Sequence, residues 1–455
     1  MSTPHPAEPP PRRDFGRVAH GLRWTLLGEV GFAGGQFALL VLLAHLGSEP
    51  ALGRYSLGLA IVTPLLVITS LHLRPAYVIV RDEDLDFSHY LTLRTLAVPL
   101  SVLIAAAWAW LATEDLRTVW VVIAVGIMRG AELFSDIFYA PAQRAEQLHP
   151  IGVSRALRGL VLVASAGAAL ALGLDPAVAI TIGAGAAVVL TLSHDRALAR
   201  RHAPLRLSAQ ARPLWALAVR TAPIGIAGGL LGLSVNMPAY LLEAWGGVTE
   251  VGRYAAIFSV FYISGVLNAA LGGAAIARLA RLFESDRRGF LALLARLVAL
   301  VAGLGALGVV ACQWLGPLYL RLAYGASYVG LVSELEVAAL AAAIAGVANL
   351  LSQALVVMHR FKTQLLCNIG VLGLSVGLAA WLVPERGVAG AARALVALSL
   401  VRLVIYLATV AVAWRRSACP PLASSRAPST SSAVSTPSTV STPSPALCPA
   451  PRATA

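Results

Sequence analysis

Of the 455 residues, 58% are hydrophobic in type and only 13% are charged, and the mean hydropathy is +0.76. Soluble domains of this size do not sustain such values, which excludes soluble enzymes and soluble binding proteins. The formal net charge of +13 comes almost entirely from arginine, because Lys362 is the only lysine. These arginines are spread among the connectors between apolar runs, which favours membrane topology over a basic recognition face, so we expect no nucleic-acid partner.

The long apolar runs predict transmembrane helices. A helical span needs about 20 mainly apolar residues, and backbone exposed to lipid must form its hydrogen bonds internally. The alternating ten-residue pattern of barrel strands is absent. We therefore predict an all-α integral membrane protein with about twelve transmembrane helices in two parallel six-helix halves. The predicted spans are 22–46, 54–74, 91–112, 118–141, 152–173, 175–194, 219–245, 250–277, 291–314, 331–357, 365–383 and 387–414.

A short repeat supports the division into halves. Leu52-Gly53-Arg54-Tyr55-Ser56-Leu57 returns 199 positions later as Val251-Gly252-Arg253-Tyr254-Ala255-Ala256, in each case between apolar runs. Because six is an even number of crossings, both halves enter the membrane from the same side, as parallel repeats do. The predicted divisions are a cytoplasmic N-terminal segment (1–21), the first half (22–194), a basic cytoplasmic linker (195–218), the second half (219–414) and a cytoplasmic tail (415–455).

The tail is composed mainly of Ser, Thr, Pro and Ala from Ser417 onward. Such a composition cannot bury enough apolar surface to order itself, so we predict that it is disordered.

The basic residues of the connectors predict the orientation. When successive connectors are assigned to alternate sides, one side receives 21 arginines and lysines and the other receives 5. By the positive-inside rule the richer side, which includes both termini, is cytoplasmic. The poorer side carries Arg54, Arg117, Arg253, Arg321 and Arg386.

Charged residues inside the spans are functional, paired, or snorkelling from a helix end, because a central arginine costs about 2.5–3.5 kcal/mol on insertion scales. Four arginines lie within about two turns of a predicted cytoplasmic helix end, and for these we expect snorkelling. They are Arg94, Arg158, Arg220 and Arg296.

The fourth span carries Arg129, Glu132 and Asp136, whose spacings of three and four place them on one helix face. One interpretation is an internal ion pair between Arg129 and Glu132, which lowers the cost of burial. The other is that this face lines a water-filled cavity, where Arg129 binds an anionic substrate and a carboxylate takes up a proton or ion. The sequence leaves both open.

Further candidates lie in the first and last spans. Arg402 is the second substrate-binding candidate, because it is deep in the last span and has no acidic neighbour on its own helix; Arg393, nine residues earlier, lies on the opposite face. Glu29 is a proton-coupling candidate or the partner of an arginine, and Gln36 follows it on the same face. The four cysteines lack metal-ligand spacing, so neither a metal site nor any cofactor is expected.

The run from Trp24 to Leu46, the Gly53-Arg54-Tyr55 step, its return at Gly252 and the two halves resemble the polysaccharide exporter and O-antigen flippase family. That family is similar to lipid II flippases and to multidrug and toxin exporters. The resemblance covers residues 22–414. One departure is Leu271-Gly272-Gly273-Ala274, where family members often have proline.

The resemblance implies translocation of a polyprenyl-diphosphate-linked oligosaccharide across the bacterial cytoplasmic membrane by alternating access. The implied partners are the lipid-linked substrate, membrane lipids, and a polysaccharide polymerase and glycosyltransferases. Two alternatives stay open: a related multidrug or small-molecule exporter, and a membrane-embedded enzyme of polysaccharide assembly. An enzyme would need an outer domain for its acceptor, and the longest outer connector, about 315–330, has no histidine or carboxylate. We therefore expect a transporter.

Overall fold

The computed structural model describes residues 15–79, 85–358 and 360–418, and it is helical almost throughout. The predicted disordered tail from residue 419 onward and most of the predicted N-terminal segment lie outside the described residues. The helices are α1 (Phe15–Leu46), α2 (Glu49–Ser70), α3 (Leu73–Ile79), α4 (Phe87–Ala112), α5 (Leu116–Arg144), α6 (Leu148–Ala171), α7 (Pro176–Leu190), α8 (Arg196–Arg200), α9 (Ala211–Ser285), α10 (Arg287–Ala323), α11 (Val332–Val357) and α12 (Phe361–Ala418).

Among the described residues, nine helical stretches are long and apolar enough to cross a membrane. They overlap eleven of the twelve predicted spans, and the remaining span lies in α5. The all-α membrane class is therefore confirmed. The number of crossings stays a prediction.

Two long helices, α9 and α12, each contain a point at which the chain reverses direction. As one straight helix α12 would run for about 85 Å at roughly 1.5 Å per residue, far more than the bilayer core of about 30 Å. However, the Tyr406 hydroxyl donates to the Asn368 side chain, 38 residues earlier in the same helix. The chain therefore folds back between them, at Gly387, whose φ of 53° is a left-handed value that glycine tolerates. Gly247, with φ 76°, interrupts α9 in the same way.

Side-chain caps begin two of the shorter helices. Ser48 accepts a hydrogen bond from the backbone N–H of Ala51 at the start of α2, and Asp175 accepts one from Ala177 at the start of α7. The break between the fifth and sixth predicted spans is present, because α6 ends at Ala171 and Gly173 has φ 76°. Proline follows the cap of α7, where its missing N–H costs nothing.

Small residues allow two helices of the first half to approach closely. Gly28, Gly31 and Gly35 of α1 face Gly152, Ala156 and Gly159 of α6, and an added Cβ at Gly28 or Gly35 would meet backbone atoms of the other helix. This small-residue contact is typical of helix packing in membranes. It fixes α1, and therefore Gln36, against the rest of the first half.

The two halves meet along α2 and α9. Gly225, Gly229 and Gly232 of α9 pack against the C-terminal part of α2, and the Tyr240 hydroxyl donates to the carbonyl of Ala60. The N-terminal end of α2 lies against residues 248–252. We call this end of the bundle, with Gly53 and Gly252, the Gly53 end.

The start of α5 belongs to the Gly53 end as well. Asp115 caps α5 through Arg117 and binds the Nε of Arg54 at 2.8 Å. Burial acts to raise the pKa of the Asp115 carboxyl, but hydrogen bonds from Arg54 and Thr118 outweigh it and lower that pKa. Asp115 is therefore a fixed negative charge that holds Arg54.

Candidate functional site

The centre of the first half contains a polar cluster built from three helices. Arg129 Nη1 lies 2.7 Å from Glu132 Oε2, and each of the two side chains is 15% exposed. The Nε2 of Gln36 on α1 donates to Glu132 Oε1 at 2.8 Å. The hydroxyl of Tyr55 on α2 donates to Gln36 Oε1 at 3.4 Å. The predicted ion pair is therefore present, and it is held by side chains from α1 and α2. We call these four residues the Arg129 cluster.

The cluster lies where the second half approaches the first. Tyr262, on the segment of α9 after Gly247, lies close to both Arg129 and Tyr55. Near the cluster, α1 and α9 border open space, since a Cβ added at Gly34 or at Gly265 would meet no atom of the described residues within 4 Å. The Nε of Arg129 has no hydrogen-bond partner among the described residues. The guanidinium therefore keeps donors for an acceptor other than Glu132.

Asp136 is separate from this cluster, although it shares a helix face with Arg129 and Glu132. Its Oδ1 binds Arg74 Nη1 of α3 at 2.9 Å, and its Oδ2 lies 3.9 Å from Arg94 Nη2 of α4. Arg74 also donates to Gln143 at 2.6 Å. Glu132 therefore pairs with Arg129, whereas Asp136 pairs with other arginines. Asp136 lies nearer to the end of the bundle opposite the Gly53 end.

Two of the four arginines expected to snorkel are instead buried. Arg94 is 0% exposed, and none of its three side-chain nitrogens has a hydrogen-bond partner among the described residues. Arg158 is 4% exposed and binds Asp195 at 2.7 Å. The expectation was wrong for these two because a carboxylate on another helix is within reach of each. Arg220 and Arg296 are exposed, as snorkelling requires.

Asp195 is a buried residue that sequence reasoning assigned to the linker. Its carboxylate is 0% exposed and accepts hydrogen bonds from Arg158, Ser135 and Ser154. His194, 38% exposed, lies 3.0 Å from the same carboxylate. A π-helical turn, Thr191–Asp195, carries Thr191 and Asp195 toward Arg158. Such turns often occur at functional sites, but nothing in the sequence marks this one.

Glu29 has a partner on α6. Its Oε1 lies 2.5 Å from Arg155 Nη1, and the side chain is 43% exposed. The Arg155 guanidinium also stacks over the Phe32 ring at 5.3 Å. Of the two interpretations of Glu29, the structure shows the arginine partner, and Gln36 contacts Glu132 instead.

Arg402 belongs to a buried network in the second half. The side chain is 2% exposed, and its Nη2 donates to Asn349 of α11 at 2.6 Å. Nearby, Asn368 donates to the carbonyl of Ala227 at 2.7 Å and accepts from Tyr406. In this conformation Arg402 links helices rather than facing an open surface. Arg393 is exposed, on the other side of the helix.

Solved transporters share this architecture. The lipid II flippase MurJ in an inward closed conformation matches with a TM-score of 0.67 and 13% identity, covering 88% of this chain and 88% of the flippase. An inward-facing multidrug resistance transporter of the MATE family and MOP superfamily matches with a TM-score of 0.64 and 11% identity, covering 86% of this chain and 96% of the transporter. The chain therefore shares the fold of these two proteins.

The shared fold confirms the architecture that the resemblance seen in the sequence implies. No family model matches the chain. One relative, the capsular polysaccharide biosynthesis protein CapF of Staphylococcus aureus, is 21% identical over 300 residues, which are 64% of this chain and 74% of CapF. The two solved structures named above are those of a flippase and of a transporter.

Proposed function

We propose that the protein moves a polyprenyl-diphosphate-linked oligosaccharide from the cytoplasmic to the outer leaflet of a bacterial cytoplasmic membrane, for surface polysaccharide synthesis. The MOP fold supports alternating access, and the CapF relative supports a role in polysaccharide synthesis. A polymerase and glycosyltransferases acting on the same lipid carrier are the proposed partners.

The Arg129 cluster is the observation that carries this proposal. A guanidinium pairs well with phosphate oxygens, because its N–H groups match two of them at once. Arg129 is partly exposed, retains free donors and lies beside Tyr262 of the other half. In this proposal the diphosphate competes with Glu132 for Arg129, and the released Glu132 takes up a proton or an ion. Glu29 and Asp136 are secondary candidates for proton or ion coupling. Arg402 is a secondary candidate for binding the anionic substrate in another conformation.

The orientation of transport follows from the arginine distribution. With both termini cytoplasmic, the Gly53 end faces outward, and the halves are in contact there through Gly53 and Gly252. The Arg129 cluster would then be reached from the cytoplasmic side. Rocking of one half against the other would close that side and open the Gly53 end.

Export of a small cation is the second candidate, because the fold is shared with multidrug transporters. A cation would need carboxylates that are free to pair with it. The three carboxylates proposed for coupling, Glu29, Glu132 and Asp136, each pair with an arginine. The cluster therefore favours an anionic substrate.

Deleting the gene tests the proposal. In a strain without a redundant exporter, the lipid-linked intermediate should accumulate on the cytoplasmic side and the surface polymer should be lost. Re-introducing the parent chain should reverse both effects. Unchanged polymer in the deletion strain would contradict the proposed function.

A further inference from the structure

A small cavity lies between the two halves at the Gly53 end. Its volume is about 230 Å³, and its walls come from α2, α4, the start of α5 and α9. It is distinct from the Arg129 cluster, since Thr118 in its wall precedes Arg129 by about 16 Å along α5 at roughly 1.5 Å per residue. We call it the seam pocket. Its chemically distinctive residues are Trp108, Thr113, Tyr240 and Glu243.

Two aromatic rings line the seam pocket. The rings of Trp108 on α4 and Tyr240 on α9 are 5.1 Å apart between centroids. The Tyr240 hydroxyl already donates to the carbonyl of Ala60, so this residue offers its ring to the pocket more than its hydroxyl. Both side chains are half-buried.

Glu243 supplies a carboxylate without a cationic partner. None of the ion pairs among the described residues includes Glu243, and the hydroxyl of Thr113 lies near its carboxylate. Three arginines of the Gly53 end are each bound to other carboxylates: Arg54 to Asp115, Arg117 to Asp175, and Arg253 to Glu49 and Glu250. Glu243 is therefore the one charged residue in the wall of the seam pocket, and no described arginine or histidine forms an ion pair with it.

From these contacts the geometry points to a binding site for a small organic cation, a protonated amine or a quaternary ammonium ion. Aromatic faces attract such cations through the ring quadrupole, and a half-buried carboxylate is costly to desolvate without an opposite charge. Because Trp108 belongs to the first half and Glu243 to the second, the bound cation contacts both halves. It therefore stabilises the conformation that is closed at the Gly53 end. This inference does not depend on the identity of the transported substrate.

Binding of radiolabelled tetraethylammonium to the purified full chain in lipid nanodiscs tests the site. The parent should bind it saturably. Glu243→Gln should weaken binding at least about tenfold, and Trp108→Leu by about twofold to thirtyfold, the range of one cation–π contact. Trp108→Phe should retain more affinity than Trp108→Leu. Glu385→Gln is the matched control, because Glu385 is an exposed carboxylate in a predicted connector at the same end.

A second measurement guards against misfolding of the variants. Tetraethylammonium should raise the unfolding temperature of the parent and of Glu385→Gln but not that of Glu243→Gln, which is checked first for a monodisperse elution profile. Equal binding by the parent and Glu243→Gln, no saturable binding by the parent, or equal stabilisation of the parent by neutral glucose would overturn the assignment.

Discussion

Gly53 and Gly252 pack against each other's helix across the contact between the two halves. A Cβ added at Gly53 would collide with the carbonyl oxygen of Val248, and one added at Gly252 with the carbonyl oxygen of Glu49, both well inside the 3.0 Å that real Cβ atoms keep. The two copies of the repeated hexapeptide therefore lie on two helical segments that contact each other. Neither contact tolerates a side chain while the halves are closed at this end.

Gly252→Leu should consequently destabilise the conformation closed at the Gly53 end. Overpacking a close contact typically costs about 1–3 kcal/mol, enough to shift a two-state equilibrium by about fivefold or more. We expect greater labelling of a cysteine introduced at Tyr254 by an aqueous thiol reagent, and less surface polymer. Gly303→Leu is the control, because a Cβ at Gly303 meets no atom within 4 Å. Equal labelling in both variants would contradict this prediction, because it would show that the helices around Gly252 accommodate the leucine while the halves stay in contact.

Topology gives a second prediction, based on the 21 to 5 distribution of arginine and lysine. Reporter fusions at Arg201 and after Ser417 should both report cytoplasm. A fusion at Glu114, between α4 and α5, should report the outer side. A periplasmic signal at Arg201 would contradict the arrangement of two parallel halves.

The buried pair of Arg158 and Asp195 gives a third prediction. Asp195→Asn leaves a guanidinium without its counter-charge in the bundle, which should cost about 3–5 kcal/mol. Protein abundance and the unfolding temperature should both fall. Replacing Arg158 by Leu and Asp195 by Leu together should recover most of the loss. For comparison, Asp175→Asn removes the partner of the exposed Arg117 and should cost at most about 1 kcal/mol. If Asp195→Asn and Asp175→Asn lowered the unfolding temperature equally, the prediction would be contradicted, because Asp195 would then behave as a solvent-exposed carboxylate.

Patterns local in sequence predicted much of this molecule. Apolar run length located the helices and the break between the spans 152–173 and 175–194, and the three-residue spacing of Arg129 and Glu132 gave their ion pair as one of two interpretations. Each of these depends on neighbours within a few residues.

Contacts between distant elements were not predictable in this way. Arg158 and Asp195 are 37 residues apart, and Asp195 lies in a stretch whose polarity resembles a surface linker. Arg94 has a carboxylate neighbour on α5 only because of how α4 and α5 pack. The seam pocket forms only where the two halves come into contact. Nothing in the sequence around Glu243 indicates that its side chain shares a pocket with the ring of Trp108.

The fourth prediction separates a substrate contact from a structural ion pair at Arg129. Arg129→Gln removes the charge but keeps much of the side chain. The substitution leaves the Glu132 carboxylate without its cationic partner, so that its remaining hydrogen bond is the one from Gln36. A stranded carboxylate in the bundle either takes up a proton or destabilises the fold. Lower abundance of the single variant is therefore expected under either interpretation and decides nothing by itself.

The double variant Arg129→Gln with Glu132→Gln decides between them. It removes both charges and retains amides that can hydrogen-bond each other and Gln36, so abundance should return to the parental level. If Arg129 binds the diphosphate, surface polymer should stay low, because the charge-assisted bonds of a guanidinium to phosphate are roughly twice as strong as neutral ones. Immunoblots of membranes and quantified surface polysaccharide provide the two readouts. Recovery of polymer together with abundance would show that Arg129 serves only to neutralise Glu132, and the substrate-binding role would be refuted.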